Sequence, residues 1–465
     1  MFTSRASGRR ISGLLLVGIL VAACGGGTSS PGPSSAAPSS AASAGSSAPG
    51  SASAPVSFTL QRFFGTCDEQ YGSVTDLTKA IGECAVITVL INKFNAENGQ
   101  GIKIDARPVD FAHYYDQLNA SFAASDPPDV FIVHRSALPD YVAGGSVSPV
   151  DDILKAGGVD ASDLVPFAKD GLTYDGKLYA SPLDLHTILW HMNNDVFKKA
   201  GLVNGSGNPI VPKSPQELLD QAAKVKATTG LNYIANETNG LMLLRWLTAW
   251  VAQQGSHLYD QTCKVTIDTP EGLSALNLIK ELYDKGYADK TQTYDTANQA
   301  FLQGKAAVIV NGTWPVNDYI NQKAKGGLVN YSVVSFAQVF KQPGSWADEH
   351  TFAVSARAGQ DPAKAAAIGA WFKFLHDNSV AWATTGHLPP FKSALASPEF
   401  NALPFRSNFS STADIAANAV PPVKHATQIN TAITEALNAI PNGQIDPPGA
   451  LKQAQQGVEA ACAAN

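Results

Sequence analysis

The stretch from Tyr174 to Leu202 constrains the fold of this chain more than any other segment. It opens on an Asp-Gly turn signal, continues as a short apolar strand, is interrupted at Pro182 and resumes as a second apolar strand. Asp184 and His186 occupy alternate positions of that second strand, so both side chains should lie on one face. Burying ionisable groups without partners is costly. We therefore predict that this strand crosses between two lobes and presents Asp184 and His186 to a ligand.

The length of the chain and its repeating pattern predict two α/β lobes. A chain of 465 residues exceeds the roughly 250–300 residues at which a single hydrophobic core usually stops growing. Strands alternate with helices at the start of the globular part, which is typical of a parallel sheet covered by helices. We predict further strands at 56–60, 102–109, 129–134, 265–268, 306–310 and 331–335, and helices at 86–98, 113–124, 215–229, 241–254, 270–285, 363–376 and 447–461.

The charge balance argues against nucleic acid as a partner. The chain has 33 basic and 39 acidic residues and a net charge of -6, without a basic stripe. A nucleic-acid-binding surface would need Lys and Arg clustered on one face.

The first 57 residues are predicted to lie outside the fold. Residues 1–23 combine arginines with an apolar run too short to span a bilayer, which is typical of a signal peptide. The small residues before Cys24 resemble a bacterial lipobox, which implies cleavage before Cys24 and its lipidation; an ordinary secretory signal is the alternative. Residues 24–57 are rich in Gly, Ser, Ala and Pro and carry no charge, so we predict a flexible linker that tethers the body to the cell membrane, on its extracytoplasmic side.

Four further cysteines predict two disulfides. An even number of cysteines in an exported protein suggests a disulfide framework, and four cysteines allow three pairings. We favour Cys67 with Cys84 and Cys263 with Cys462. A metal site at these cysteines is the competing interpretation, and the absence of a C-x-x-C pair disfavours it.

The segment A-A-V-I-V-N-G-T-W, which ends at Trp314, reads as a strand followed by a sharp Asn-Gly turn and an aromatic residue. Together with G-K-L-Y-A-S-P-L-D-L-H and D-V-F-I-V-H-R-S-A-L-P-D-Y, it resembles the extracellular solute-binding proteins of carbohydrate ABC importers, the group that includes the maltodextrin-binding protein. The resemblance covers essentially everything after the linker. It implies the two-lobed periplasmic-binding-protein fold, an α/β fold with crossover hinge strands. The lobes would be 58–183 with 353–387, and 184–352 with 388–465.

The resemblance also implies a set of ligand-binding residues. In maltodextrin-binding relatives the tryptophan of the N-G-x-W turn stacks on a sugar ring, and Trp314 matches it. The position of a sugar-binding carboxylate on the crossover strand is His186 here, so it stays open whether Asp184 or His186 takes that role. The turn after the first strand corresponds to Phe64 and Gly65.

Three more residues are candidates for the same site. His134 ends a predicted buried strand, where ligands of α/β sheets gather. Trp346 and His350 lie in W-A-D-E-H-T-F, which resembles a segment near a second crossover in sugar-binding proteins. Aromatic rings can cover the apolar face of a pyranose, and acids and imidazoles can pair with its hydroxyls. For each candidate the alternative is a purely structural role.

These features predict a non-catalytic, monomeric receptor that captures a mono- or oligosaccharide and delivers it to an ABC permease, without a cofactor. The alternative is a binder of the same fold for a polyol, a sugar phosphate or a polyamine. A phosphate would call for Arg or Lys beside the aromatic residues, and the sequence suggests none there. A polyamine would call for several carboxylates, whereas only Asp184 is clear.

An enzyme and a metal site are both disfavoured. A surface glycan-processing enzyme would need paired acids or a nucleophile motif, and the sequence contains no matching acid pair, no G-x-S-x-G and no H-E-x-x-H. Asp184 and His186 could begin a metal site, but no further ligand cluster accompanies them in the sequence.

Overall fold

The computed structural model describes residues 55–322, 328, 330–415 and 422–464. The predicted signal peptide 1–23, the lipidation site Cys24 and nearly all of the predicted linker 24–57 lie outside these residues. Among the helices of the described part, none has both the length and the apolar character that a membrane span requires.

Twelve strands in the described residues form two five-stranded sheets and a two-stranded ribbon. They are β1 Ser57–Arg62, β2 Lys103–Pro108, β3 Val130–His134, β4 Thr173–Tyr174, β5 Lys177–Leu178, β6 Ala180–Pro182, β7 His186–Asn193, β8 Asn232–Ala235, β9 Ala306–Gly312, β10 Tyr331–Ser335, β11 Ala347–Asp348 and β12 His350–Val354.

The sheet of the first lobe has the order β2-β1-β3-β12-β6. Strand β1 runs parallel to β2 and β3, with Leu60 opposite Val130, as the alternating pattern predicts. Strand β12 arrives from the other lobe and pairs antiparallel with both β3 and β6. The sheet is therefore mixed, since β12, which comes from a distant part of the chain, runs antiparallel to its neighbours.

The sheet of the second lobe has the order β10-β7-β9-β8, and β11 also pairs with β7. Strand β7 is antiparallel to β9, with Trp190 opposite Val310, and β8 is parallel to β9. All eight residues of β7 are buried. This strand lies inside the sheet of the second lobe. The residues just before it lead back to β6 in the first sheet, so they lie at the boundary between the lobes.

The helices of the described residues cover both sheets. They are α1 Asp68–Tyr71, α2 Glu83–Glu97, α3 Tyr114–Ala123, α4 Leu138–Ala143, α5 Asp151–Gly157, α6 Pro166–Leu172, α7 Asn194–Lys199, α8 Pro215–Thr229, α9 Met242–Ala252, α10 Pro270–Asp284, α11 Tyr294–Leu302, α12 Val316–Gln322, α13 Ala356–Gly359, α14 Pro362–Asp377, α15 Ser379–Ala383, α16 Lys392–Leu395, α17 Pro398–Asn401, α18 Arg406–Phe409, α19 Thr412–Ile415, α20 Ala426–Asn438 and α21 Pro447–Ala463.

Local signals explain where these helices begin and end. In α8 the hydroxyl of Ser214 accepts from the backbone N–H of Glu217, Pro215 fills the first turn, and Gly230 ends the helix at a φ of 72°. The predicted strand at 265–268 is wrong. Only Val265 forms an isolated bridge, to Tyr259, because the chain then turns into α10, whose first turn is capped by Thr269.

Two disulfides join Cys67 to Cys84 and Cys263 to Cys462, the pairs favoured from the sequence. The first links α1 to α2 in the first lobe. The second ties α21 to the loop before α10, and the two cysteines have a sequence separation of 199. Each bridge therefore lies within one lobe.

Within the part of the chain that the structure describes, three segments cross between the sheets. The first joins β6 to β7, the second joins β11 to β12, and the third contains Leu388, whose backbone pairs with Leu185 at 2.8 and 3.0 Å. Strand β12 belongs wholly to the first sheet, so the lobe boundary predicted between residues 352 and 353 falls inside it.

Candidate functional site

A cavity of about 350 Å³ lies between the two lobes. The first lobe contributes Phe111, Tyr115 and His134 after its strands, and the second contributes Trp346 and Asp348 at its crossover. Helix α20 closes one side. The remaining lining residues are Ser136, Ala137, Leu241, Leu244, Arg245, Ala426, Thr427, Asn430, Thr431, Thr434 and Glu435. The lining therefore combines aromatic faces with hydroxyl, amide and ionisable groups.

Arg245 lies between two tryptophans at the edge of this cavity. Its guanidinium carbon is 4.3 Å from the ring centroid of Trp346 and 5.0 Å from that of Trp314. Burial lowers the pKa of Arg245, and the nearby Glu237 carboxylate opposes that change. The Nε atom has no hydrogen-bond partner among the described residues. The two ring faces stabilise the guanidinium by cation–π contacts.

The predicted turn around Trp314 depends on Gly312. A Cβ at Gly312 would collide with the Trp314 ring, so glycine allows the indole to fold back over the turn. The indole Nε1 then donates to the Tyr294 hydroxyl at 2.7 Å. Trp314 is thereby fixed behind Arg245 and does not itself line the cavity.

Asp348 connects the two lobes beside Trp346. Its Oδ2 accepts from the Ser136 hydroxyl at 2.6 Å, and its Oδ1 accepts from the Ser136 backbone N–H at 3.1 Å. Burial alone would raise the pKa of Asp348, but His134, His186 and these hydrogen bonds outweigh it and lower the pKa. Asp348 is thus an anion on the cavity wall, already tied to the first lobe.

His134 presents a defined tautomer to the cavity. Its backbone N–H donates to the Tyr115 hydroxyl at 3.1 Å, and that hydroxyl pairs with Nδ1 at 2.6 Å. Burial lowers the pKa of His134 to about 3, so the ring is neutral at physiological pH. We assign the phenol proton to Nδ1, which lies 2.6 Å away, because the other partner of this hydroxyl is a donor; Nε2 then carries the ring N–H and can donate to a ligand.

Asp184 lies deeper, with no exposed surface. Its Oδ1 accepts from His186 Nδ1 at 3.0 Å and from the His350 backbone N–H at 3.2 Å. Its Oδ2 accepts from His350 Nδ1 and Trp382 Nε1, both at 2.7 Å. Burial alone would raise the pKa of Asp184, yet the surrounding histidines and hydrogen bonds hold it well below its usual value. Four donors saturate this carboxylate, which does not line the cavity.

Histidines from three crossing segments surround Asp184. The rings of His186 and His350 stack with centroids 4.2 Å apart, and His350 lies 5.4 Å from His387. Burial would lower the pKa of His350, but the Asp184 carboxylate outweighs it and raises the pKa. The fold brings His350 and His387 to Asp184 and His186, although no local motif in the sequence connects these four residues.

The predicted first-strand turn covers this histidine cluster. Phe64 and Gly65 both have positive φ, at 78° and 81°. The Phe64 ring meets His350 edge-on at 4.9 Å and lies 5.0 Å from the Trp382 ring. Neither Phe64 nor Gly65 lines the cavity. Of the predicted ligand residues, His134 and Trp346 line it, and Asp184, His186 and His350 lie behind it.

Sequence reasoning missed Arg245, Tyr115 and Asp348. Arg245 left a usable signal, because it is the only charged residue in the otherwise apolar helix α9, and such a charge needs a partner. Asp348 stood inside the W-A-D-E-H-T-F segment without being singled out. Tyr115 left no signal, since a tyrosine on a predicted amphipathic helix has many possible roles.

Two α/β lobes that are joined by three crossing segments around a cavity define the class of two-lobed solute-binding proteins. The chain belongs to the bacterial extracellular solute-binding protein family, which it matches over residues 89–406. This is a family of extracytoplasmic binding proteins and not of enzymes, in agreement with the predictions.

Individual relatives were found by sequence and by structure. The sn-glycerol-3-phosphate-binding periplasmic protein UgpB of Escherichia coli (strain K12) is 28% identical over 232 residues, which are 47% of this chain and 51% of UgpB. The chain thus spans about half the length of the curated relatives it matches. The GacH receptor of Streptomyces glaucescens GLA.O, solved unliganded and with acarbose, matches with a TM-score of 0.71 and 22% identity over 87% of this chain and 98% of GacH. Maltose-bound MalE3 of T. maritima has a TM-score of 0.70 and 17% identity over 87% and 99%.

Proposed function

We propose that the protein is a lipid-anchored substrate-binding protein that captures a sugar or oligosaccharide between its lobes and delivers it to an ABC permease. The interlobe cavity carries this proposal. Its volume of about 350 Å³ lies within the range of roughly 300–1,000 Å³ typical of small-molecule sites. Its lining pairs aromatic faces with hydrogen-bonding groups, which is the chemistry that an amphipathic pyranose requires.

The cavity residues divide into a platform and a polar rim. We infer that Trp346 offers a ring face to the sugar, since it lines the cavity. The N–H of His134, the Asp348 carboxylate and the Asn430 amide supply the hydroxyl partners. Asp184 and His186 lie behind the cavity wall and hold in place the crossover segment that borders the cavity. Trp314 supports the platform through Arg245 instead of stacking on ligand in this conformation.

The anchor and the delivery step rest on the sequence and the family. Lipidation of Cys24 with a long uncharged linker would hold the body near the membrane while leaving it free to turn. A protein of similar fold, the ABC substrate-binding protein Lmo0181 of Listeria monocytogenes, was solved with cycloalternan. A monomer is sufficient for this role, because one chain supplies both walls of the cavity.

A second candidate is an anionic ligand such as a sugar phosphate. Arg245 favours it, because a desolvated guanidinium at the cavity edge can pair with a phosphate. The prediction that no Arg or Lys lies beside the aromatic residues is therefore wrong, because Arg245 contacts both Trp314 and Trp346. The partial similarity to an sn-glycerol-3-phosphate-binding protein supports the same candidate.

A thermal-shift screen separates these candidates. The whole chain is incubated with neutral mono- and oligosaccharides, with glycerol 3-phosphate and hexose phosphates, and with polyamines. A ligand that binds only the folded state raises the unfolding midpoint, by about 2.7 kcal/mol of stabilisation at 100 times its Kd. A shift with neutral sugars supports the main proposal, and a shift with phosphates alone supports the second. If only a polyamine shifts the midpoint, both are refuted.

A further inference from the structure

We propose that Asp184, His186, His350 and His387 form a binding site for a divalent transition-metal ion of the zinc class at the junction of the two lobes. One ligand atom from each of these buried residues lies within 4.8 Å of the others. The site is separate from the interlobe cavity, and the proposal holds whichever solute that cavity binds.

The four residues come from all three segments that cross between the lobes. Asp184 and His186 connect β6 to β7, and His350 opens β12 directly after the crossing from β11. His387 precedes Leu388, which pairs with the first crossing through Leu185. An ion at this point would join all three crossings, so its binding would fix the geometry of the hinge.

The three separations between the Asp184 oxygens and the histidine nitrogens approach those around a small metal ion. In a tetrahedral zinc site with bonds of about 2.0–2.1 Å, neighbouring ligand atoms are about 3.3 Å apart. The Asp184 oxygens lie 3.0 Å from His186 Nδ1, 2.7 Å from His350 Nδ1 and 3.7 Å from His387 Nε2. Shifts of about 0.6 Å or less would bring these three separations to that value.

His387 supplies the strongest argument, because its Nε2 is buried without a hydrogen-bond partner among the described residues. The Thr385 hydroxyl donates its only proton to the Trp382 carbonyl at 2.7 Å. It must therefore accept from His387 Nδ1, which lies 2.7 Å away. The neutral ring then has a bare lone pair on Nε2, 3.4 Å from a Glu83 oxygen and 3.7 Å from an Asp184 oxygen. A lone pair that faces carboxylates is suited to a cation that both kinds of group can bind.

The surrounding groups orient the four residues, as hydrogen-bond partners orient the ligands of known metal sites. Trp382 Nε1 donates to Asp184 and orients the carboxylate, while Thr385 fixes the His387 ring. Three imidazoles and one carboxylate suit Zn²⁺, Ni²⁺ or Cu²⁺, whereas Ca²⁺ and Mg²⁺ prefer oxygen ligands. To ligate through Nδ1, His186 and His350 must each be neutral with the ring proton on Nε2, so the Nδ1 proton that each now shares with Asp184 is lost or moved to Nε2.

The test is calorimetric titration of ZnCl₂ into the whole chain, purified without a polyhistidine tag and treated with a chelator. We expect one ion per chain and a higher unfolding midpoint with zinc. His387→Gln should weaken this binding by at least about tenfold while unfolding, in chelator, at the wild-type midpoint. His257→Gln, at an exposed position, is the matched control and should bind zinc like the wild type.

Replacement by Co²⁺ gives a second readout of the same site. A nitrogen-rich tetrahedral site gives intense visible absorption bands, and these should vanish in His387→Gln. The proposal is overturned if the wild type binds no stoichiometric zinc, if His387→Gln binds zinc as tightly as the wild type, or if CaCl₂ raises the midpoint and ZnCl₂ does not. If His387→Gln fails to fold, the Co²⁺ spectrum of the wild type decides between a tetrahedral site and none.

Discussion

His191 allows a quantitative prediction of how stability depends on pH. This residue is fully buried in the middle of β7. Its Nε2 lies 3.2 Å from the Asn311 carbonyl and 3.0 Å from that of Gly312, so Nε2 carries the proton and donates. Its Nδ1 consequently accepts from the Tyr331 hydroxyl at 2.7 Å. The neutral ring is satisfied on both sides.

Burial lowers the pKa of His191 from 6.5 to about 3. Below about pH 6.5 the unfolded chain therefore takes up a proton that the folded chain refuses, and stability falls as the pH drops. The stability contributed by this pKa difference is complete above pH 6.5 and is lost progressively towards pH 3. At about pH 5 the loss from this one site amounts to about 2 kcal/mol.

The variant His191→Gln isolates this effect from that of the other histidines. Glutamine can keep a donor and an acceptor but does not titrate. We expect the wild type to be more stable than the variant at about pH 7.5, by about 1–2 kcal/mol. The difference should shrink by about 2 kcal/mol at about pH 5.

The assay is urea denaturation followed by far-UV circular dichroism at the two pH values, with parallel samples of His257→Gln, whose side chain is exposed. The control should follow the wild-type curves at both pH values. A wild-type-to-variant difference that stays constant between the two would refute the assignment of His191 as a buried neutral group.

Three further predictions concern the cavity and the second disulfide. Trp346→Ala should weaken binding of the responding neutral sugar by at least about tenfold in calorimetry, since stacking surface is lost, while Trp314→Phe should change it by less than about threefold. Arg245→Gln should leave neutral-sugar affinity within about threefold, but it should cost a phosphorylated ligand about 1.5–3 kcal/mol, and equal losses for both would contradict its role. Replacing Cys263 and Cys462 by serine should lower the free energy of unfolding by about 2–5 kcal/mol, as measured by denaturant titration, because the bridge closes a loop of 199 residues; no change would show that the bridge does not constrain the unfolded chain.

Local patterns made much of the fold predictable. Helix α8 and strand β10 have the predicted bounds, because hydrophobic spacing, a capping serine and a terminal glycine act within a few residues of one another. Trp246 and Trp250 lie four residues apart on the predicted helix 241–254, a spacing that places both on one face, and both are fully buried. The prediction of a strand at 265–268 failed because two apolar residues in a short run do not distinguish a strand from the approach to a helix.

The sequence by itself determined that this chain forms α/β lobes, that two cysteine pairs are available, and that Asp184 and His186 need partners. Only the tertiary structure decided what those partners are. His350 and Trp382 lie 166 and 198 residues from Asp184 along the chain, and no local pattern specifies contacts at such separations. They meet because the three crossing segments come together at one junction, where burial makes every unpaired charge costly. The crossing segment joins the two sheets, as its sequence predicts, but Asp184 and His186 face a buried cluster and not the cavity.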